Sequence, residues 1–454
     1  MIKCPNCGAE LNYDIEKESV TCKHCRTTFN PKELNVDVKT AQEVTFEGTS
    51  YLCSQCGAEL MTFDETAITF CSYCGSQSML KSRMVTQNAP EFIIPFKKTQ
   101  DECIKIYKSK VSKALFAPSY MKKDAVVKKF RGIFIPYEIY KLSYNDRYST
   151  TGKKYSHRSG DYVYYDDYKV SMDIDSDYEG LSYDLVSNYY DRFSNAIPHN
   201  FKEKEEFNPN YLAGFYADVA DVDKEIYDDN VKVEVSKDAI TKINKVNEVR
   251  RYNCMPRKID YSIAERKVGM FPVYFLAMRD KKSEHINYAV VNGQTGKVAI
   301  DLPIDFKKYL IGSLIIAIPL FLLLSLSDLF LVLPQALCGF SMFISIVSLV
   351  ILAVQRSKIH KRENHLDDEG YSSKEKEQKK KGKTFRYIIK PIIAIVISFF
   401  ALISGLVSDI VYYGSTIIAF LLMIWSFLDI VKSHNTLVSS KLPQLEKRGG
   451  DENE

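Results

Sequence analysis

Two Cys-x-x-Cys pairs, repeated once at the same spacing, constrain the first eighty residues more than any other feature. Residues 3–11 and 52–60 are nearly the same peptide, and each cysteine of the first set recurs 49 positions later. The pattern indicates a tandem duplication, and pairs about fifteen residues apart are typical of tetrahedral four-thiolate zinc sites. The sequence therefore predicts zinc ribbons over residues 1–30 and 48–80, each holding one structural zinc ion. The predicted ligands are Cys4, Cys7, Cys22, Cys25, Cys53, Cys56, Cys71 and Cys74.

Each ribbon is predicted to contain one hairpin, at residues 11–13 with 19–21 and at 60–63 with 67–70. Units of this size bury too little apolar surface to fold alone. Metal binding is expected to supply most of the folding free energy, roughly 10–16 kcal/mol for structural zinc. Two disulfides per unit are the alternative, disfavoured by the knuckle spacing and because no export signal is seen before the first ribbon. His24 is predicted to be an exposed bystander.

Charge is unevenly distributed along the chain, although the net charge is only +4. Residues 1–89 carry eight Lys/Arg against eleven Asp/Glu, whereas residues 97–131 carry eleven against three. This basic stretch is the best candidate for a surface that binds nucleic acid or the anionic inner leaflet. A solvated helix face is an equally good interpretation.

Residues 90–306 are predicted to form an α+β domain with an antiparallel sheet. Thr99 and Glu102 have the spacing of a capping box. The helix that follows is expected to bury Ile104, Tyr107, Val111 and Leu115. Alternating segments rich in Tyr, Ile and Val predict strands at residues 132–144, 161–175, 268–278, 284–291 and 297–300. A further helix is predicted over residues 181–194.

Four C-terminal stretches approach the length of a transmembrane helix, which needs about 20 apolar residues. They lie at residues 310–326, within 329–354, at 388–407 and at 410–428. Residues 355–390 carry twelve Lys/Arg, whereas the turns at 327–328 and 408–409 carry none. The positive-inside rule therefore predicts a multi-pass protein of the cell membrane with both termini in the cytoplasm. The predicted segments are transmembrane hairpins at 308–354 and 387–431, a basic cytoplasmic loop at 355–386 and a cytoplasmic tail at 432–454.

Catalytic motifs are not found in the sequence, so the chain is not expected to be an enzyme. No HExxH, GxSxG or Cys–His pairing is visible among the seven histidines. Asp173, Asp175 and Asp177 resemble the start of a calcium loop. However, Tyr178 stands where that loop requires glycine, and Asp184 stands where it requires glutamate. Acids alternating along a solvated strand are the favoured interpretation, and calcium binding is left open.

Several peptides together resemble a family of bacterial membrane proteins with transcription-factor-IIB-type zinc ribbons, often labelled primosomal-helicase-like. Beside the knuckles they are IPF at residues 94–96, RGIFIPY at 131–137, YLAGFYA at 211–217 and VNGQTGKV at 291–298. The resemblance covers roughly residues 1–306 and implies that all eight cysteines bind zinc. It does not imply helicase activity, because no Walker loop is present. It does imply partners in membrane-stress machinery, of the phage-shock-protein-A or flotillin-like kind.

The sequence thus predicts a zinc-binding membrane adaptor or scaffold that docks partner proteins at the cytoplasmic face, with the two ribbons as its docking modules. The predicted fold is multidomain: two tandem small β zinc ribbons, an α+β antiparallel-sheet domain and a four-helix transmembrane region. The alternative is a membrane-tethered nucleic-acid-binding protein that uses the ribbons and residues 97–131. Acidic ribbons weigh against this alternative because phosphate contacts dominate such binding.

Overall fold

The structure is a computed structural model that describes residues 3–34, 45–63, 68, 70–77, 79–189, 191–194, 196–254, 258–279, 286–325, 334–363, 381–403 and 409–439. The strands are β1 (Leu11–Asp14), β2 (Ser19–Cys22), β3 (Thr28–Phe29), β4 (Thr45–Cys53), β5 (Glu59–Thr62), β6 (Met79–Asn88), β7 (Phe92–Ile93), β8 (Arg131–Ser159), β9 (Tyr162–Asp184), β10 (Glu205–Glu206), β11 (Tyr216–Asp218), β12 (Ser262–Arg279), β13 (Ile286–Asn292) and β14 (Val298–Ile300).

The α-helices are α1 (Gln100–Lys113), α2 (Asp124–Val127), α3 (Asp191–Ser194), α4 (Asp228–Ile243), α5 (Asn247–Arg251), α6 (Phe306–Ser325), α7 (Pro334–Glu363), α8 (Lys381–Ile403) and α9 (Asp409–Val438). Short 3-10 turns lie at Ser119–Lys122, Phe201–Glu203, Pro209–Leu212 and Lys224–Tyr227. The predicted turn at residues 327–328, most of the basic loop (364–380) and the end of the tail (440–454) lie outside the described residues.

The first cysteine repeat forms a small sheet of its own. β1 pairs antiparallel with β2, and β3 adds to the other edge of β2. This confirms the hairpin predicted at residues 11–13 and 19–21. Leu11, Tyr13 and Val20 are buried on this sheet, and the ring centroid of Tyr13 lies 5.4 Å from that of Tyr211. The first ribbon is therefore docked onto the larger domain rather than free of it.

The second cysteine repeat is part of the large sheet. β5 pairs antiparallel with both β4 and β11, and β6 adds to β4. The predicted partner strand at residues 67–70 is not found there: residues 67 and 69 lie outside the described residues, and Ile68 and Phe70 are not in a strand. The described residues of this unit thus join a long-range sheet instead of the self-contained hairpin that its sequence predicts.

The large sheet has eleven strands within the described part of the chain. Its main order is β10-β7-β12-β8-β11-β5-β4-β6, with β13 and β14 following from β12 and with β9 paired to β8. Most neighbours are antiparallel, as predicted, but β7 runs parallel to β12 and β11 runs parallel to β8, so the sheet is mixed. Residues 269–276 of β12 are buried without interruption, which is typical of a strand covered on both faces.

Most local predictions in residues 90–306 are confirmed. The capping box forms, with the Thr99 side chain accepting from the Glu102 backbone N–H and the Glu102 side chain accepting from the Thr99 N–H. Each predicted strand has an observed counterpart, in β8, β9, β12, β13 and β14. The helix predicted over residues 181–194 is wrong. Its first four residues end β9, where they pair with residues 137–140 of β8, and α3 is the only helical part among the described residues of this range.

The peptides that carry the family resemblance pack against one another around Phe96. The Phe96 ring stacks on Phe215 with centroids 4.2 Å apart and an interplanar angle of 14°. Gly132 and Gly293 allow this approach, because an added Cβ would lie 2.7 Å from Phe215 Cδ1 and 2.4 Å from Phe96 Cδ1 respectively. These peptides therefore have a structural role: they form one packed centre joining four separate segments.

β8 and β9 form a hairpin that continues far beyond the rest of the sheet. β12 pairs with β8 only as far as Ser143, whereas the pairing of β8 with β9 continues to Ser159 and Tyr162. α4 and α5 cover the middle of the hairpin, where Tyr178 and Val235 share a core cluster. Residues 153–167 lie beyond these helices, and we call them the hairpin tip.

The C-terminal helices α7, α8 and α9 pack against each other in alternating directions. Lys390 of α8 and Asp429 of α9 form an ion pair of 2.6 Å at one end. At the other end, Cys338 Sγ of α7 lies 3.2 Å from the Ser398 carbonyl oxygen of α8. α7 and α9 are long and apolar enough to cross a membrane, over Gln335–Ile359 and Ile410–Val438. Two of the four predicted transmembrane segments thus meet this criterion among the described residues.

Candidate metal centres and exposed surfaces

The eight predicted ligands assemble into two four-cysteine clusters. Within each cluster all four Sγ atoms lie within 4.8 Å of one another. The shortest Sγ–Sγ distances are 3.5 Å for Cys7–Cys22 and 3.6 Å for Cys4–Cys25, Cys53–Cys74 and Cys56–Cys71. A disulfide requires about 2.05 Å, whereas tetrahedral zinc at about 2.3 Å from each sulfur separates the sulfurs by about 3.8 Å. The donor set and its dimensions therefore fit a metal ion.

The four knuckles share one backbone turn. In each, the first cysteine N–H donates to the carbonyl five residues on, and the residue after the second cysteine donates back to the first cysteine carbonyl, at 2.7–3.0 Å. This turn needs a positive φ, which Gly8, Gly57 and Gly75 adopt at 69° to 76°. Arg26 occupies the same place with φ of 61°. The Cys-x-x-Cys-Gly spacing thus dictates the ligand geometry locally.

Hydrogen bonding prepares both clusters to bind a cation. At the first cluster, the Thr27 hydroxyl and backbone lower the pKa of the Cys25 thiol to about 6. At the second, the hydrogen bond with Cys71 lowers the pKa of Cys56 to about 5, and the same interaction raises the pKa of Cys71. Each cluster therefore contains a thiol whose lowered pKa favours the thiolate form. A bound dication favours loss of the remaining protons, because thiolates are the ligating form.

The two clusters differ in their connection to the domain. At the first, Cys7 and Cys25 are exposed, and the docked ribbon is held through Asn208 and Asn210, whose Nδ2 atoms donate to the Pro31 carbonyl at 2.8 and 2.9 Å. His24 is exposed, as predicted.

At the second cluster, Tyr73 lies between two of the ligands in sequence and is 3% exposed. Its ring packs 4.9 Å from Phe275 of β12, and its hydroxyl donates to the buried Asp218 of β11. The second cluster is therefore built into the domain core, in the same apolar cluster as Phe275.

The basic stretch at residues 97–131 is partly neutralised by the fold. Three of its lysines form ion pairs, Lys97 with Glu203 at 3.4 Å, Lys98 with Glu102 at 3.4 Å and Lys108 with Asp124 at 2.5 Å. Two of these pairs form within the stretch, which removes charge from a nucleic-acid surface. The remaining exposed lysines include Lys113, Lys122 and Lys123.

The hairpin tip is an exposed surface that no sequence motif indicates. Its large exposed side chains are Tyr155, Tyr162, Val163, Tyr164 and Tyr165, with exposures from 44% to 75%. The alternation of residues 161–175 indicated a strand, but alternation alone does not say whether the strand is covered. The signal available in the sequence was the density of tyrosine, with four in residues 162–168.

The acids considered for calcium binding do not form a cluster. Asp173, Asp175 and Asp177 alternate along β9 and are exposed. They lie opposite Arg147, Asn145 and Ser143 of β8. Among the described residues, the two cysteine groups alone bring three or more potential ligands together. This arrangement agrees with the interpretation of a solvated strand.

The apolar helices are largely uncovered by protein. Only 22% of the most apolar window in Gln335–Ile359 and 28% of that in Ile410–Val438 is buried. A core helix of a soluble protein would be mostly buried, whereas exposed apolar surface is typical of membrane-crossing or protein-binding helices. Their contacts with each other use small polar groups, such as Ser341 with Ser398 at 2.9 Å and Ser348 with Ser426 at 3.0 Å. Such contacts are typical of helices packed in a membrane.

No protein-family model matches the chain, and no solved structure matches it. YdjG, an uncharacterized protein of Bacillus subtilis (strain 168), is 28% identical over 312 residues, which span 67% of this chain and 91% of YdjG. The chain is therefore similar over most of its length to a protein without an assigned activity. The resemblance to the zinc-ribbon membrane family remains a prediction from the motifs.

Proposed function

We propose that this protein is a zinc-binding membrane adaptor whose C-terminal helices anchor it and whose hairpin tip docks partner proteins. The observation that carries the proposal is the group of exposed tyrosines at the tip. The ribbons are less suited to docking than expected, because Tyr13 of the first and Tyr73 of the second are buried in the domain. In this proposal the metal sites hold the platform rigid, and the tip makes the contact. The role requires no catalysis.

The tip has the chemistry of a protein-binding surface. A two-stranded ribbon exposed on both faces is marginally stable in water. Tyrosine combines a large apolar ring with a hydrogen-bonding hydroxyl and loses little entropy on binding, so it is enriched in protein interfaces. From Gly152 to Gly160 the tip reaches about 25 Å beyond the covered part of the hairpin, at about 3.3 Å per residue. A partner protein can therefore approach it from either face.

Strand register supports a tip that points away from the C-terminal helices. Ile300 ends β14 and pairs with Ala289 of β13, which pairs in turn with Leu276 of β12. The end of β14 and the end of β12 therefore lie at the same end of the sheet. The chain continues from this end of the sheet into α6. β8 starts beside the same end, where Arg131 pairs with Phe275, and it runs away from the helices toward the tip. A partner bound at the tip would be held clear of the bilayer.

Zinc is the proposed metal at both clusters. Four thiolates in a closed tetrahedral arrangement leave no position for a substrate, which is typical of structural zinc. The proposed ligands at the two sites are Cys4, Cys7, Cys22 and Cys25, and Cys53, Cys56, Cys71 and Cys74. Metal analysis of the purified full chain is expected to find about two zinc ions per molecule.

The proposed location is the cell membrane, with the sheet domain and both termini in the cytoplasm. The starts of α6 and α8 and the ends of α7 and α9 gather at one end of the helix bundle. Tyr309 donates to the Ile424 carbonyl at 3.3 Å, and the guanidinium of Arg356 lies 4.4 Å from the Tyr387 ring centroid. This arrangement and the basic loop joining α7 to α8 support the cytoplasmic assignment.

The alternative, a membrane-tethered nucleic-acid binder, has less support. Three lysines of residues 97–131 are already paired with carboxylates. The hairpin tip carries the acids Asp161, Asp166 and Asp167 against the basic residues Lys153, Lys154 and Arg158, so it has no net positive charge to attract a phosphate backbone.

The test uses the full chain in lipid nanodiscs and purified candidate partners. The first candidates are phage-shock-protein-A-like and flotillin-like proteins, which the family resemblance implies. Replacing Tyr155, Tyr162, Tyr164 and Tyr165 by serine is expected to weaken binding at least about tenfold, because a buried interface tyrosine commonly contributes more than about 1 kcal/mol. Binding is measured by biolayer interferometry.

A matched control replaces exposed apolar residues away from the tip. Leu80 and Met84 on β6 are 60% and 63% exposed, and Leu80→Ser/Met84→Ser should leave binding unchanged. Zinc content and nanodisc incorporation should stay the same in both variants. Partner binding that is equal in the tip variant and the wild type would refute docking at the tip.

A further inference from the structure

The segment that follows α1 contacts the base of the C-terminal helices. The Phe116 ring lies 5.7 Å from that of Tyr309 in α6 and 6.4 Å from that of Phe427 in α9. His434 Nε2 lies 3.1 Å from the Lys113 carbonyl oxygen. Lys308 Nζ donates to the Ala117 carbonyl at 2.6 Å. The end of α1 therefore lies at the level where α6 begins and α9 ends.

Two large apolar side chains are exposed at this level. Leu115 is 74% exposed and Phe306 is 67% exposed. The sequence pattern predicts Leu115 on the buried face of α1. That prediction is wrong because α1 ends at Lys113 and Ala114 caps it in an extended conformation, so Leu115 leaves the helical face. Phe306 is the first residue of α6, and Leu115 precedes Phe116, whose ring contacts α6 and α9.

Exposed lysines lie at the same end of the molecule as these apolar side chains. Lys113, Lys122, Lys123 and Lys307 are exposed, and no described carboxylate forms an ion pair with them. Lys122 and Lys123 lie at the same end of the sheet as the helices, because Tyr120 in the same 3-10 turn accepts from Asn287 Nδ2 at 2.8 Å. Asn287 begins β13 opposite Met278, near the end of β12.

We propose that this basal surface, made of Lys113, Leu115, Lys122, Lys123, Phe306 and Lys307, binds the anionic phospholipid headgroups of the membrane that the helices cross. Leu115 and Phe306 would enter the boundary between headgroups and acyl chains, and the lysines would contact the phosphates above them. Lys113, Lys122 and Lys123 of the basic stretch thus belong to a lipid surface. The inference deepens the proposed function and rests on its membrane placement.

Lipid explains this surface better than nucleic acid does. A nucleic-acid surface needs cations that are accessible to a rigid duplex or an extended strand. Here the lysines lie at the end of the sheet from which the apolar helices start, and Leu115 and Phe306 are exposed at the same level. Amphipathic contact of this kind gains both from apolar burial and from attraction to anionic headgroups. It would also fix the sheet domain against the bilayer while the hairpin tip points away.

The chain offers a clean fluorescence test because Trp425 is its one tryptophan. Leu115→Trp is introduced into the full chain in a Trp425→Phe background, and the protein is reconstituted in phosphatidylcholine vesicles with and without phosphatidylglycerol. Quenching by brominated lipids reports contact between the indole and the bilayer. Tyr162→Trp in the same background is the matched control, because Tyr162 is 75% exposed at the hairpin tip.

The Leu115→Trp indole is expected to be quenched at least about twofold more than the Tyr162→Trp indole, and more strongly with phosphatidylglycerol present. Replacing Lys113, Lys122 and Lys123 by glutamate reverses their charge. In this variant, quenching of the Leu115→Trp indole should no longer depend on phosphatidylglycerol. Equal quenching of the two indoles would overturn the inference. So would a Leu115→Trp emission change caused by added DNA and not by lipid.

Quenching of the native Trp425 by brominated lipids shows whether the helices are in the membrane. This measurement distinguishes a failure of the lipid-surface inference from a failure of the proposed function. Trp425 is 61% exposed on α9 and should be quenched strongly in the otherwise unchanged protein. If it is quenched while Leu115→Trp is not, only the basal surface is refuted. If Trp425 itself is not quenched, the membrane placement fails and the inference fails with it.

Discussion

Asp218 shows how a single buried residue makes the domain sensitive to pH. It is 2% exposed on β11, where it accepts from the Tyr73 hydroxyl and from the Val219 N–H. Burial raises the pKa of its carboxyl to about 8. The folded state therefore keeps a proton that the unfolded chain releases near pH 4. Stability is expected to fall as pH rises from about 4 to about 8, by at most about 5 kcal/mol.

Asp218→Asn is expected to flatten this pH dependence, because a neutral amide holds no titrating proton. Between pH 6 and about 8, the wild type should lose urea resistance, measured by pulse proteolysis of the sheet domain, and the variant should not. Asp161→Asn is the control, since Asp161 is exposed at the hairpin tip and is not among the groups that shift the pKa of Asp218, so this variant should keep the wild-type slope. A wild-type protein whose stability is constant over this range would show that Asp218 is already ionised in the fold.

At the scale of elements, the two metal clusters should have unequal consequences when lost. The first cluster holds a separate three-stranded sheet, whereas the second holds β4 and β5, which pair with β6 and β11. Cys4→Ser/Cys7→Ser should increase hydrogen exchange in residues 3–34 and leave membrane insertion intact. Cys53→Ser/Cys71→Ser should increase hydrogen exchange in the second unit and also in β11, which pairs with β5. The effect should be large, because structural zinc contributes roughly 10–16 kcal/mol to folding.

Hydrogen–deuterium exchange with mass spectrometry distinguishes the two variants peptide by peptide. The control is Cys254→Ser, since Cys254 is buried in an apolar cluster that contains none of the eight ligands and should leave exchange in both ribbons unchanged. If Cys53→Ser/Cys71→Ser increases exchange only within residues 45–77, the second cluster does not stabilise the rest of the large sheet, and the prediction is wrong.

Sequence patterns located elements well where the information is local. The knuckle turns follow from the Cys-x-x-Cys-Gly spacing, and the capping box follows from Thr99 and Glu102. Pairing between strands that are far apart in the sequence could not be predicted from these patterns. Leu181 and Leu185 have helical spacing, yet pairing with β8 makes Leu181 part of a strand. Likewise, nothing local in residues 59–62 says that β11, more than 150 residues later, will pair with them.

At the scale of the whole molecule, the end of α9 joins the helix bundle to the sheet domain. Asn435 Nδ2 donates to the Leu302 carbonyl at 3.0 Å, and the Ile300 N–H donates to Ser439 Oγ at 3.1 Å. β14 is thus tied to a helix that runs through the bundle. β14 is in turn paired through β13 and β12 to the hairpin whose tip lies at the far end.

Cutting this connection should loosen the sheet edge without disturbing the bundle. In Asn435→Ala/Ser439→Ala, amide exchange in Val298–Ile300 is expected to rise about tenfold or more, because each lost hydrogen bond contributes about 1 kcal/mol. Thr436→Ala is the matched control, since its hydroxyl bonds back to Lys432 within α9. Exchange around Ser415, at the other end of α9, should be unchanged in both variants. If β14 stays equally protected in the double variant, the bundle and the sheet domain are held together by the basal surface and the Phe116 contacts instead.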